Sequence, residues 1–299
     1  MWLSVDKINL NYYCLVMKIL LFVICACMAS PALFAQYYFT DIVANNQSAE
    51  QYKLLVAAKV KQVKAINYDA RGEVVEGFGI DQTIKDNGRK IITKTSIPNS
   101  STSTLENNYA DGKLIASTSS NLQTFTTLST TTNYTYNDKG LITSIASASS
   151  DTAASTGTLA ETHTWLYNEK GLPTLMYKIK RAKDTLKVVF IYDEKGNVAE
   201  EKWTKNGGQI TENYYYYYND AGLLTDVVRF NYLARKLLPD FIYDYDADGK
   251  VIKMTQTIGG GTDYLVWKYT YNDKGLKETE SCYNKQKHLE GKVVYLYNY

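Results

Sequence analysis

Three carboxylates alternate in Asp244-Tyr245-Asp246-Ala247-Asp248-Gly249-Lys250-Val251. Oxygens spaced this way ahead of a sharply bending glycine can converge on a hard cation such as calcium. The bidentate acid of a calcium loop is missing, because Thr255 stands at the twelfth position. The segment also coincides with a repeated turn, where aspartate serves the backbone without a metal. A second candidate is the run of tyrosines from Tyr214 to Tyr218, which puts aromatic rings on both faces of one strand. One face belongs to a core. Tyr215 and Tyr217 on the other either meet a neighbouring layer or form an exposed platform for a sugar ring or a protein partner.

Other chemistry is poorly supported. His163 and His288 lie in different repeats with no cysteine or carboxylate motif around them, so neither a zinc site nor a hydrolase triad is indicated, and both read as surface or strand histidines. Glu200-Glu201 beside Asp193-Glu194 raises glycoside hydrolysis, which needs two acids facing each other across a cleft. Adjacent strand residues point to opposite faces, so this segment reads as an exposed charged strand. No catalytic constellation and no cofactor motif emerges.

The elements that carry these residues repeat. A Tyr-Asn/Asp-x-x-Gly tetrad begins at Tyr68, Tyr136, Tyr167, Tyr192, Tyr218, Tyr245 and Tyr271, with steps of 25, 26, 27 and 26 residues from Tyr167 onward, and a further step reaches Tyr297-Asn298. Each copy is a strand alternating aromatic and polar residues, a turn in which glycine supplies positive φ, and a returning strand. Counting back from the turn tyrosine, the same face reads Tyr192, Phe190, Val188; Tyr218, Tyr216, Tyr214; Tyr245, Tyr243, Phe241; and Tyr271, Tyr269, Trp267. Side by side these make aromatic ladders, whose pairs contribute roughly 0.2–1 kcal/mol each. Returning strands such as Val198 to Lys202 are more polar, which implies a solvated face. The expected fold is all-β: an elongated antiparallel sheet of repeated hairpins, open or curled, with a short N-terminal helical cap.

The cap rests on Ser48-Ala49-Glu50-Gln51, a capping box, followed by Tyr52, Leu55, Val56, Lys59 and Val60 at helical spacing. Such a cap would protect the first sheet edge from pairing with other chains. Lys59 to Asn67 also alternates well enough to be the first strand. The Ser/Thr-rich stretches Thr93–Thr132 and Thr143–Thr164 read as strands or a disordered insert, and the embedded Leu122, Phe125 and Leu128 favour strands. Hairpin ends opposite the tyrosine turns vary in sequence, from Lys180–Asp184 to Asn284–Gly291. Recognition usually sits on such variable loops.

The chain of 299 residues carries 33 basic and 31 acidic groups, a net +2, with no Lys/Arg stripe, so no electrostatic footprint for nucleic acid is present. Met17-Lys18, the apolar run Ile19 to Ile24 and the small residues Ala29 to Ala32 read as a cleavable secretory signal, cut after Ala35 or after Ala32, with residues 1–16 an extension upstream of the true start. Cys14, Cys25 and Cys27 precede that cut, which leaves Cys282 alone in the mature chain and no internal disulfide. The expected organisation is a signal at 1–35, a cap segment at 36–65 and a repeat domain at 66–299. The expected location is secreted or periplasmic, or at the cell surface. No integral span is expected after cleavage, because returning strands such as Leu276 to Glu280 carry charges on both faces that lipid would not accept.

Tyr-x-Tyr-Asn-Asp-x-Gly-Leu, as in Tyr134 to Leu141, Tyr216 to Leu223 and Tyr269 to Leu276, resembles the YD repeat of RHS-type bacterial surface and secreted proteins. The resemblance covers roughly residues 66–299. It departs from that family in size and lacks a core-associated signature and a variable C-terminal toxin domain. It implies an exported β-repeat protein with carbohydrate or protein binding, and brings no catalytic residues. The expected function is therefore a non-catalytic binding or scaffold module. The rival is a glycan-active enzyme with its site on the variable hairpin loops.

Overall fold

A computed structural model describes residues 36–299 except 99–101, 123–126, 152–158, 182–183, 206–207, 209, 232–233, 259–260 and 262. The proposed signal, and with it Cys14, Cys25 and Cys27, lies outside the described residues, as does Phe125.

A π-helical turn (Tyr38–Val43) runs directly into α1 (Ala44–Ala57). Among the described residues eighteen strands follow: β1 (Gln62–Asp69), β2 (Gly79–Lys85), β3 (Lys90–Ser96), β4 (Thr102–Ala110), β5 (Lys113–Leu122), β6 (Thr127–Tyr136), β7 (Ile142–Asp151), β8 (Leu159–Tyr167), β9 (Pro173–Lys180), β10 (Asp184–Tyr192), β11 (Val198–Thr204), β12 (Ile210–Tyr218), β13 (Leu224–Asn231), β14 (Lys236–Tyr245), β15 (Val251–Ile258), β16 (Asp263–Tyr271), β17 (Lys277–Asn284) and β18 (Leu289–Asn298). Every strand pairs antiparallel with its sequence neighbours, and β1 pairs with both β2 and β18. The sheet is a closed barrel. This corrects the expected elongated sheet: closure gives each edge strand a partner and removes the exposed edges that an open sheet must protect. β1 also begins inside the expected cap segment, in keeping with the alternation of Lys59 to Asn67.

The helical segment does not cover an edge. It lies in the lumen, where Tyr38, Phe39, Ile42 and Val43 pack on a cluster that includes Trp165, Phe190, Tyr214, Tyr216, Phe241 and Trp267. α1 packs Tyr52 and Leu55 against Val63, Ile91, Tyr109, Leu114 and Leu276. Tyr52 and Tyr109 stack with ring centres 3.9 Å apart. No side chain caps α1, because the preceding residues are already helical and supply its first turn; the capping box at Ser48 falls inside the helix.

The repeat has a structural cause at each position. Tyr136, Tyr167, Tyr218, Tyr245, Tyr271 and Tyr297 point inward, and each hydroxyl donates to a backbone carbonyl of the preceding returning strand, at 2.6–2.9 Å. Tyr192 departs from this: its buried hydroxyl has no hydrogen-bond partner among the described residues. In the next position Asn137, Asn168, Asp193, Asn219, Asp246 and Asn272 each accept the amide four residues on. The glycine then holds φ near +80°, as at Gly140 and Gly171, where a side chain would be strained. The turns from Tyr136 to Tyr271 line one rim, the turn rim. Asp111-Gly112, both at positive φ, makes a tighter two-residue turn on the same rim. The tetrad at Tyr68 belongs to the other rim, the loop rim, since β1 starts beside the end of β18.

Candidate functional site

The lumen joins the helical segment to the wall through buried charge. Glu201, 0% exposed, accepts four hydrogen bonds: from the amides of Tyr37 and Tyr38, both at 3.0 Å, from Trp203 Nε1 at 2.6 Å and from the Tyr216 hydroxyl at 2.6 Å. The two amides are orphan donors at the start of a helical run, where a carboxylate is also favoured by the helix dipole. Burial pushes the Glu201 carboxyl up to about 7, against the pull of its four donors. Sequence alternation alone placed Glu201 on an exposed charged strand. The structure puts it inside because it shares an inward face with Trp203 and lies opposite Phe190 and Tyr214.

A second cluster holds the next turn. Asp41 Oδ2 lies 2.6 Å from His163 Nδ1 and accepts from Trp165 Nε1 at 3.1 Å. His163 Nε2 lies 3.1 Å from Glu161 Oε1, which also pairs with Lys178 Nζ at 3.0 Å. Both ring nitrogens thus face carboxylates, which requires both to donate. Burial works against the imidazolium, but Asp41 and Glu161 outweigh it and raise His163 to about 9. Glu161 pays for its burial too, yet the bonds from His163 and Lys178 bring it down to about 2. The Tyr37 ring meets His163 edge-on and lies beneath Lys178. A third contact joins Gln36 Nε2 to Asp240 at 2.8 Å, and Asp240 pairs with Arg229 at 2.9 Å. His163 is therefore a buried ionic partner of the helical segment, which its sequence surroundings do not reveal: Asp41 is 122 residues away.

The two sequence candidates remain separate, because neither Tyr215 nor Tyr217 lines the groove that holds the three aspartates. Tyr215 and Tyr217 face outward, opposite Glu200 and Asp226, and Tyr217 is 50% exposed. Thr225 hydrogen-bonds the Tyr217 carbonyl at 3.2 Å and lines an open groove of about 540 Å³ with Asn219, Leu223, Asp244, Asp246 and Asp248. In this groove Asp246 accepts the amides of Asp248 and Lys250, Asp244 pairs with Lys253, and Asp248 is exposed. The three carboxylates are spread over turn and strand. Among the described residues no group of three His, Cys, Asp or Glu side chains is placed to hold a metal ion. His288 sits at a loop-rim turn, its amide held by Asn284. Cys282 is buried in the lumen wall, and burial raises its thiol to about 12.

No protein-family model matches the chain, and no curated protein matches it. Among solved structures it is similar to a porin-like protein from Bacteroides uniformis ATCC 8492, at 11% identity and a TM-score of 0.42, over 80% of this chain and 96% of that one. A porin-like protein from Bacteroides vulgatus ATCC 8482 is similar at 13% identity and a TM-score of 0.27, over 80% of this chain and 98% of that one. The Photorhabdus luminescens Tc holotoxin pore is similar at 11% identity and a TM-score of 0.33, over 74% of this chain but 15% of that chain. Likenesses this distant carry no functional argument; the all-β closed barrel stands on its own strand pairings.

Proposed function

We propose that this protein is an exported, non-catalytic, internally plugged β-barrel that serves as a binding or scaffold module. The observation that carries this reading is the filled lumen. A barrel of this strand number can enclose an aqueous channel, but here the chain's own residues 36–57 and the inward aromatics occupy it, leaving the outer wall and the rims as working surfaces.

The outer wall favours a carbohydrate or protein ligand over lipid. Lys90–Glu106 at 2.7 Å and Lys202–Glu200 at 3.0 Å are ion pairs on outward faces, and Lys253 pairs with Asp244 there too. A wall with charge outside and aromatics inside inverts the pattern of a lipid-spanning barrel. Among the described residues no helix is long and apolar enough to cross a membrane. Tyr217, half exposed on the outer wall, offers a ring to stack on a sugar face, and the separate groove of carboxylates offers acceptors for hydroxyls.

A glycan array and a glycoside-hydrolase panel, run on one preparation, test the reading. The expected result is stable binding without turnover, lost in Tyr215→Ser/Tyr217→Ser while the melting temperature is kept. Turnover without stable binding would establish the rival enzyme, and unfolding of the double variant would make these rings structural.

A further inference from the structure

The loop rim carries a second surface, at the ends of β9 to β14. Strand ends that are far apart in sequence converge here on one arc, about 25 Å long for six adjacent strands. Lys180, Arg181, Lys205, Arg235 and Lys236 are all exposed on it, and Asp184 is the exposed acid among the described residues of the arc. Between these cations stand exposed apolar side chains: Ile179 at 36%, Ile210 at 55%, Phe230 at 42% and Leu237 at 46%.

The arc concentrates what the rest of the rim spreads out. Elsewhere on it Arg71 pairs with Asp69 and Glu73 and Lys285 with Asp263, and exposed Lys287 stands as a single cation without an ion pair among the described residues. On the arc, among the described residues, no ion pair engages Arg181, Lys205, Arg235 or Lys236; Lys180 alone has a partner, Glu161, at 4.0 Å. Arg181 and Arg235 hold φ of 51° and 52°, a turn conformation that Lys287 shares at 64° elsewhere on the rim, so it is the density of unpaired cations and apolar tips that sets the arc apart.

We propose that this arc docks the barrel, loop rim down, on an anionic lipid surface. Cations interleaved with aliphatic and aromatic tips on a protruding rim match such a surface: the charges meet phosphate headgroups while Ile210, Phe230 and Leu237 enter the headgroup–acyl boundary. An acidic polypeptide would want a groove to lie in, whereas these side chains stand on separate turns. The arc is distinct from Tyr217 and from the aspartate groove, both on the turn-rim side, so either surface can fail without the other.

Co-sedimentation of the full chain with vesicles tests the proposal. The chain should pellet with equimolar phosphatidylglycerol and phosphatidylcholine, not with phosphatidylcholine alone, and should be released by raised salt. Arg181→Glu/Arg235→Glu/Lys236→Glu should weaken binding at least about tenfold. Glutamate carries the same backbone strain as arginine at those corners, so folding is not confounded. Ile210→Ser/Leu237→Ser should weaken binding also, whereas Lys94→Glu on the outer face of β3 and Tyr215→Ser/Tyr217→Ser should not. Equal binding to both vesicles, no pelleting with either, or an unaffected triple variant would overturn the proposal. So would binding to soluble polyglutamate without binding to vesicles, which would make an acidic polypeptide the occupant.

Discussion

The two halves of the inner wall solve burial differently. Across β8 to β17 the inward positions are Trp165, Phe190, Tyr214, Tyr216, Phe241 and Trp267, closed over the helical segment around buried Glu201. Across β2 to β7 apolar inward residues such as Ile91, Tyr109 and Leu114 alternate with small hydroxylated ones. Thr93, Thr95 and Ser103 are buried, Thr130 bonds Ser149 at 2.8 Å, and Thr132 bonds Ser147 at 2.9 Å. In the first half Glu201, Asp240 and His163 anchor the helical segment. In the second, hydroxyls on neighbouring strands satisfy one another. The lesson is that polarity inside this barrel has two roles, docking and self-satisfaction, and deletion should separate them.

The largest effect is expected at Glu201. Glu201→Ala leaves four buried donors without an acceptor and should cost about 3–5 kcal/mol in urea unfolding. Glu201→Gln should cost less, because the amide oxygen still accepts. Equal losses in the two variants would show that shape rather than hydrogen bonding anchors the segment.

The His163 cluster should give a pH signature. His163 is raised from 6.5 to about 9, so its contribution is full below pH 6.5 and fades as pH rises through 9. Glu161 is lowered from 4.5 to about 2, so its contribution is full above pH 4.5 and fades as pH falls to 2. Glu201, raised from 4.5 to about 7, adds a decline between those values. His163→Gln should therefore abolish the alkaline limb between pH 6.5 and 9, worth about 3 kcal/mol, and leave the decline between 4.5 and 7. Persistence of the alkaline limb in this variant would remove His163 from the account.

The smallest effect is expected in the hydroxyl half. Thr132→Val/Ser147→Ala removes both partners of one bond and should change stability by less than about 1 kcal/mol. A loss comparable to that of Glu201→Ala would erase the distinction between the halves.

The tyrosine period made the hairpin turns of the turn rim legible, because backbone chemistry at each turn is local: Asn272 accepts the amide of Leu276, only four residues on. The inward ladder at Tyr214, Tyr216 and Tyr218 was legible for the same reason, since alternation is a local property. The described residues of the Ser/Thr stretches lie mainly in strands β3 to β8, the reading that their embedded leucines favour. Glu201 was misread because its neighbours Glu200 and Lys202 are outward and charged, while the rings that bury it lie on β10 and β12. The basic arc was invisible for a related reason: Arg181 and Arg235 are 54 positions apart in a chain of near-balanced charge.

By itself the sequence determined strands, turns, faces and period, all set by interactions within one hairpin. Tertiary structure alone decided closure, through β1 pairing with β18, whose Gln62 and Asn298 stand 236 positions apart. It also decided that residues 36–57 fill the lumen rather than cover an edge. Both outcomes depend on which distant surfaces meet, and no local pattern of side chains encodes that meeting.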